Sequence, residues 1–405
     1  MRTTIEIPDQ GRWNGQRHYD RFVEAAARQY TPLNVLLELT HRCHLNCVHC
    51  YLEDNHDWRA KTQELTTAEF CQVIDQLVEA GCLFLTLSGG EIFLRDDTMV
   101  IARYARSKGL ALRLYTSGTL MPAERVEEIF QLHPLSVEFS IYSADNPALH
   151  DSIIQIPGSH QKTLEAIRLL ARTGIPIVIK TPLMREIFSE YPKIVQLAEE
   201  LGVFYKLDPT VSPKNDGNLS PCHHRLTQEQ LFTLFSDETL PSAPEIQALP
   251  FGQGPRNPND EVCDLGKTGC AISPLGDVYP TLGFPWAAGN VREQTFRSIW
   301  EHAPLFKRLR EVQVKDLSDC SGCEKFSYCD RCCMWALMDE GDFFGGSLWA
   351  CEMASAKEKA AGFPSEPTLF QIKHRHDASV ERTTFVSTDR LVTPQKLQTV
   401  KREAS

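Results

Sequence analysis

The stretch THRCHLNCVHCYLED, residues 40–54, sets three cysteines in one short segment, at Cys43, Cys47 and Cys50. Three thiolates hold three irons of a four-iron cluster and leave the fourth iron a position for a substrate or cofactor. A zinc site or three buried structural cysteines fit the same spacing. Farther on, Ser88, Gly89, Gly90 and Glu91 close the apolar run LFLTLS. Glycines at a strand end let a ligand approach the backbone, and a carboxylate there suits an ammonium group; an ordinary turn is the plainer reading. A second field holds eight of the fourteen cysteines: Cys263, Cys270, Cys320, Cys323, Cys329, Cys332, Cys333 and Cys351. Tetrahedral zinc also uses C-x2-C pairs, so iron and zinc both suit this field. Of the rest, Cys71 and Cys82 read as buried hydrophobes beside a helix, and Cys222 falls in a loop.

Apolar, β-branched runs that can position these groups recur at residues 34–40, 83–88, 112–117, 136–141, 175–180 and 203–208. Between them the periodicity is helical. In TTAEFCQVIDQLVEAG, Phe70, Ile74, Leu77 and Val78 line one face between a Thr cap and Gly81; SHQKTLEAIRLLARTG repeats the scheme with Leu164, Ile167, Leu170 and Gly174. Such alternation implies an α/β fold with a parallel sheet, and six units suit a partial barrel as well as an open doubly wound sheet. In either, ligands gather at the carboxyl ends of the strands, where Cys43 and Glu91 fall. After residue 208 the chain turns rich in Pro, Gly and Asn around a short helix near 227–235.

Length and composition narrow the classes further. A chain of 405 residues buries a large core and is read as one big domain with a smaller one. No run approaches the roughly 20 apolar residues of a membrane span, and the first residues lack a signal peptide, so a cytoplasmic protein without a membrane role is expected. A formal net charge of -11 argues against nucleic acid as a partner. In such a chain fourteen cysteines point to metal or redox chemistry rather than a disulfide framework.

Cys43, Cys47, Cys50 and Tyr51 match the C-x3-C-x2-C-aromatic signature of the radical S-adenosylmethionine (SAM) superfamily, and Gly89, Gly90 and Glu91 match its GGE motif. This resemblance implies a SAM-binding [4Fe-4S] cluster on the three cysteines as the catalytic centre. It also implies SAM contacts at Tyr51, Gly89, Gly90 and Glu91, with Ser117 near the cofactor, Ser140 at the ribose and Lys180 at the carboxylate. The second field resembles the SPASM domain, which binds two auxiliary iron-sulfur clusters. By that pattern Cys320, Cys323, Cys329 and Cys351 hold the outer cluster, while Cys263, Cys270 and Cys333 belong to the inner one. Where the family usually has a further cysteine this chain has Thr281, so the inner cluster is expected to keep an open iron unless Cys332 or a substrate thiolate completes it.

The implied architecture is a partial (βα)6 TIM-like barrel followed by a small cysteine-rich SPASM domain. The divisions are an N-terminal extension, 1–32; the barrel, 33–215; a connecting segment, 216–255; the auxiliary cluster domain, 256–362; and a C-terminal tail, 363–405. The resemblance is greatest to maturases of ribosomally made peptides, which implies reductive SAM cleavage to a 5'-deoxyadenosyl radical and formation of a thioether or carbon-carbon crosslink in a precursor peptide or protein. Peptide epimerases, sulfatase maturases and tetrapyrrole side-chain modifying members are the alternatives. About thirty residues precede the first strand, too few for a fused leader-binding module, so a separate leader-peptide recognition protein is expected. An electron donor such as flavodoxin or ferredoxin is implied as well.

Overall fold

The structure, a computed structural model, describes residues 14–53, 62–240, 257–262 and 264–362. After helix α1 (Asn14–Arg28), six parallel strands follow: β1 (Asn34–Thr40), β2 (Phe84–Gly89), β3 (Ala111–Thr116), β4 (Ser136–Ser140), β5 (Ile177–Pro182) and β6 (Phe204–Asp208). Their order in the sheet is β6-β5-β4-β3-β2-β1, the order of the chain. A doubly wound sheet reverses direction at a switch point and this one does not, so the partial barrel is the right choice of the two. Strand β5 starts beyond Pro176, which has no N–H for the ladder.

Side chains alternate across each strand, and the two faces differ in chemistry. Val35, Leu37 and Leu39 of β1, Leu85 and Leu87 of β2, and Leu112 and Leu114 of β3 are buried in one cluster with Phe70, Val73, Ile74 and Leu77 of helix α2 (Thr67–Glu79). Each such side chain contributes about 1.5–3 kcal/mol by leaving water, which fixes this face toward the helices. The inner face keeps Glu38, Thr86, Ser88, Arg113, Glu138 and Lys180, polar groups that an ordinary barrel core would not tolerate unpaired. Helix α2 begins where the sequence indicates: Thr66 and Glu69 form a reciprocal capping box.

The cysteine-rich region joins this sheet directly. Strand β7 (Gly269–Ile272) pairs parallel with β1, opposite Asn34 to Leu37, and leads into the antiparallel β8 (Asp277–Tyr279) and β9 (Gly289–Asn290). Arg292, just past β9, donates to the Glu69 carboxylate at 2.7 Å and locks the hairpin onto α2. The bond from Arg292, then that from the Thr66 N–H, holds the Glu69 carboxyl down at about 2. A second core of Phe284, Leu305, Leu309, Phe326, Cys333, Met334, Leu337 and Phe344 supports the later cysteines. A third joins Leu231 and Leu234 of the helix Gln228–Phe235 to Trp349 and Met353. Among the described residues no helix is long and apolar enough to cross a membrane. The tail read from residue 363 and Cys263 lie outside the described residues.

Buried histidines make the fold pH-sensitive, and His150 is one of them. His150, fully buried, accepts the Tyr142 N–H at Nδ1, so its ring is neutral. Burial, and after it the His160 ring, pull its pKa down to about 4. An unfolded His takes its proton near pH 6.5, so between that pH and 4 the unfolded chain binds more protons and stability falls as pH falls. The loss attributable to His150 is about 2 kcal/mol at pH 5 relative to pH 7. Denaturant midpoints at the two pH values will show it, and His150→Gln will lessen the difference by about its own share, leaving that of His49, which burial likewise draws down to about 4.

Candidate active site at the carboxyl ends of the strands

The segment after β1 carries Cys43, Cys47 and Cys50 and is pinned from several sides. Asn46 and Val48 donate backbone N–H groups to Ile154 and Ile153 at 3.1 and 3.0 Å, Cys50 donates to the Cys47 carbonyl at 3.1 Å, and Asn215 donates to the Tyr51 carbonyl at 2.8 Å. Cys43 and Leu45 are buried with Tyr142, Met184 and Ile187, and Cys47 packs against them. Burial, more than any other cause, pushes the Cys43 thiol up to about 12 and the Cys47 and Cys50 thiols upward too, and charge on Cys50 raises Cys43 and Cys47 further. Three neighbouring thiols raised by burial become thiolates most readily when a cation shared among them supplies the charge, which is the setting a metal cluster needs.

Glycine at positions 89 and 90 answers a steric demand from this same segment. A Cβ on Gly89, whose φ is +133°, would stand 2.1 Å from the Thr40 carbonyl oxygen, and one on Gly90 would stand 2.3 Å from that of Arg42. Gly90 N–H donates to Thr40 at 2.7 Å and Glu91 N–H to Arg42 at 3.0 Å. The end of β2 thus lies backbone on backbone against the entry to Cys43, a closer approach than the ligand contact anticipated for these glycines.

Glu91, with no exposed surface, brings two expected residues together. Its Oε1 accepts the Phe93 N–H and the Thr116 hydroxyl, at 3.2 and 2.7 Å; its Oε2 accepts the Ser117 N–H and hydroxyl, at 2.9 and 2.5 Å. Ser117 also meets Thr119 at 2.8 Å, and Thr119 meets His44 of the cysteine segment at 2.7 Å. Tyr51 donates to Glu38 at 2.6 Å, and His41 stands 3.1 Å from the other Glu38 oxygen. Ser140 and Lys180 pair across β4 and β5, but Lys180 turns to Glu138, at 3.4 Å, and lies 3.9 Å over the Tyr115 ring.

Charged residues unforeseen from the sequence complete the frame. The Arg42 guanidinium, next to Cys43, grips Glu64 through two bonds of 3.1 and 3.2 Å, and Arg95 reaches the same carboxylate at 3.3 Å and the Leu39 carbonyl at 3.2 Å. All three are buried.

The second field divides in two. Cys320, Cys323, Cys329 and Cys351 stand close enough that the Cys329 and Cys351 thiols, raised to about 12 chiefly by burial, are raised further by charge on the others. Cys333, fully buried, begins the helix Cys333–Glu340, and Cys332 caps it. The inner set is not brought together in the same way. Cys270 pairs with Val35 and faces the helices beside Cys82 and Arg310, in the barrel core, whereas Cys333 lies in the core of the later cysteines. Thr281 lines a cavity of about 450 Å³ together with Leu36, Thr86 and Arg113 of the barrel strands. Among the described residues no three His, Cys, Asp or Glu side chains converge closely enough to hold a single metal ion. Cys82, bonded through sulfur to the Phe84 carbonyl at 3.4 Å, behaves as a buried hydrophobe.

Comparison with known proteins adds the following. The radical SAM superfamily matches residues 37–198, and an iron-sulfur cluster-binding domain, SPASM, matches residues 263–332. The chain is 33% identical over 337 residues to the AdoMet-dependent heme synthase of Methanosarcina barkeri, covering 77% of this chain and 94% of that one. It is 25% identical over 354 residues to the mycofactocin maturase MftC of Mycobacterium tuberculosis, covering 85% and 86%. The Streptococcus suis SuiB structure bound to precursor peptide SuiA has the same fold, with a TM-score of 0.60 at 15% identity over 85% of this chain and 82% of that one.

Proposed function

The chain belongs to the radical SAM superfamily and is an enzyme that uses a [4Fe-4S] cluster, SAM and auxiliary iron-sulfur clusters, and from this premise we propose that it oxidises a ribosomally made peptide, closing a thioether or carbon-carbon crosslink. In the superfamily the reduced cluster supplies an electron that splits SAM into methionine and a 5'-deoxyadenosyl radical, which takes a hydrogen atom from an unactivated C–H bond. Cys43, Cys47 and Cys50 are the ligands that fit this cluster, because their shared burial makes thiolates dependent on a metal charge. Glu91 is the group for the SAM amino nitrogen: turning the Ser117 hydroxyl off Oε2 frees an acceptor for an ammonium without breaking the backbone bond beside it. Tyr51 and Glu38 brace the segment from below, and Ser140 and Lys180 stand at neighbouring strand ends for the ribose and carboxylate.

The observation that carries the oxidative assignment is the cavity at Thr281. There a residue of the cysteine-rich region meets Leu36, Thr86 and Arg113 of the barrel interior, and β7 of the same region pairs with β1, so an electron acceptor held by that region would stand against the barrel rather than apart from it. Removing a hydrogen atom accounts for one electron, and bond closure with loss of a proton releases a second, which the auxiliary clusters take up. Cys320, Cys323, Cys329 and Cys351 fit the outer of these; Cys333 and Cys263 are assigned to the inner one by the family pattern, with Thr281 leaving an iron open, while Cys270, which that pattern adds, is turned into the barrel core away from Cys333. A flavodoxin or ferredoxin donor and a separate leader-binding protein complete the scheme.

A second reading, oxidation of a tetrapyrrole side chain, is favoured by the likeness to the heme synthase. Anaerobic incubation with SAM and a strong reductant separates the two. A precursor peptide encoded beside this protein loses a pair of hydrogens, seen by mass spectrometry, while a tetrapyrrole carboxylate is returned unchanged. The opposite result overturns the peptide reading.

A further inference from the structure

We propose that Arg331 is a shared redox-tuning residue, a buried cation set between the two auxiliary cluster sites that raises the potential of both. This rests on the assignment of the later cysteines as cluster ligands. Arg331 is 7% exposed. Its plane is fixed by neutral acceptors: Nε donates to the Gly345 carbonyl at 3.1 Å, and Nη2 to the carbonyls of Gly345 and Phe343 at 2.6 and 2.8 Å. The other arm of the fork is spent on sulfur, with Nη1 donating to Cys333 Sγ at 3.1 Å. The same guanidinium faces Cys320, which belongs to the outer set as Cys333 belongs to the inner.

Chain order explains the placement, because Arg331 falls in the short link between Cys329, a ligand of the outer set, and Cys333, a ligand of the inner. A guanidinium taken out of water costs several kcal/mol unless an anion faces it. Peptide carbonyls orient it but bring no charge. The anions within its reach are the sulfurs, once they are thiolates bound to iron. Hydrogen bonds to sulfur and nearby charge set the potential of an iron-sulfur cluster. Reduction adds negative charge, so a fixed cation favours the reduced form and makes each cluster a better acceptor for an electron leaving the substrate. A residue that only held the Phe343–Gly345 turn would affect stability and leave the potentials alone.

The test uses the full chain with Cys43, Cys47 and Cys50 replaced by Ala, so that only auxiliary clusters contribute spectra. Iron content, thermal unfolding and electron paramagnetic resonance during redox titration are compared with and without Arg331→Gln and Arg331→Lys. In Arg331→Gln both clusters should load and become harder to reduce, the reduced-to-oxidised ratio at the native midpoint falling roughly tenfold, which is about 59 mV for a one-electron couple. Arg331→Lys keeps the charge but not the fork, and should shift the same way by less. Should Arg331→Gln fail to hold iron, the lysine variant decides alone. Native potentials in every variant that loads overturn the proposal, however much stability changes. Zinc in place of iron in the unmutated auxiliary sites overturns the ligand assignment itself, and iron analysis before the titration tells the two failures apart.

Discussion

Protein with Cys43, Cys47 and Cys50 all replaced by Ala forms no 5'-deoxyadenosine from SAM, while the unmutated protein, reconstituted with iron and sulfide and given a strong reductant, forms it readily. The three thiols lie on one short segment, where Cys43 is buried with Leu45, Tyr142 and Met184, Cys47 packs against that cluster, and Cys50 follows three residues on. Iron should fall from about twelve to about eight per chain, since the auxiliary ligands are untouched. The fold should survive, because a buried thiol behaves as a small hydrophobe and its loss to Ala is a modest truncation. Undiminished SAM cleavage in the triple variant would refute the assignment of these residues.

Gly90→Ala is expected to lower SAM cleavage by at least about tenfold with every proposed ligand intact, an effect of about 1.4 kcal/mol or more. The new methyl carbon would lie 2.3 Å from the Arg42 carbonyl oxygen and 2.7 Å from that of His41, and neither is the end of a flexible side chain. Either β2 or the entry to Cys43 must move, and with it go the bonds from Gly90 to Thr40 and from Glu91 to Arg42. Arg42 resists that movement because Glu64 holds it in the core. Rates of 5'-deoxyadenosine formation with rising SAM measure the effect; a native rate and a native SAM dependence in Gly90→Ala would mean that the close approach does not govern the site.

Much of the barrel was legible because its signals are local. Apolar runs, a Thr cap with Glu69 three residues on, and Gly81 after the last turn mark β1, α2 and β2 within a residue or two. The choice between barrel and doubly wound sheet was not local, since it depends on which strand lies beside which. Nor was β7, a strand of four residues hidden in a cysteine-rich stretch and recruited by the edge of β1. At the site, cysteine spacing and GGE were readable as chemistry. The clamp of Arg42, Glu64 and Arg95 was not, because its carboxylate stands 22 residues from one arginine and 31 from the other in sequence. Cys270 shows the limit in another way: the family resemblance groups it with Cys333, and its parity on β7 turns it to the helices beside Cys82.

The most direct measurement follows the hydrogen atom. With a precursor peptide carrying deuterium at the carbons to be joined, anaerobic turnover should place deuterium in 5'-deoxyadenosine, and the peptide should lose one hydrogen isotope from each joined position. Unlabelled 5'-deoxyadenosine beside an unaltered peptide, with label arriving instead from a deuterated tetrapyrrole side chain, would contradict the account.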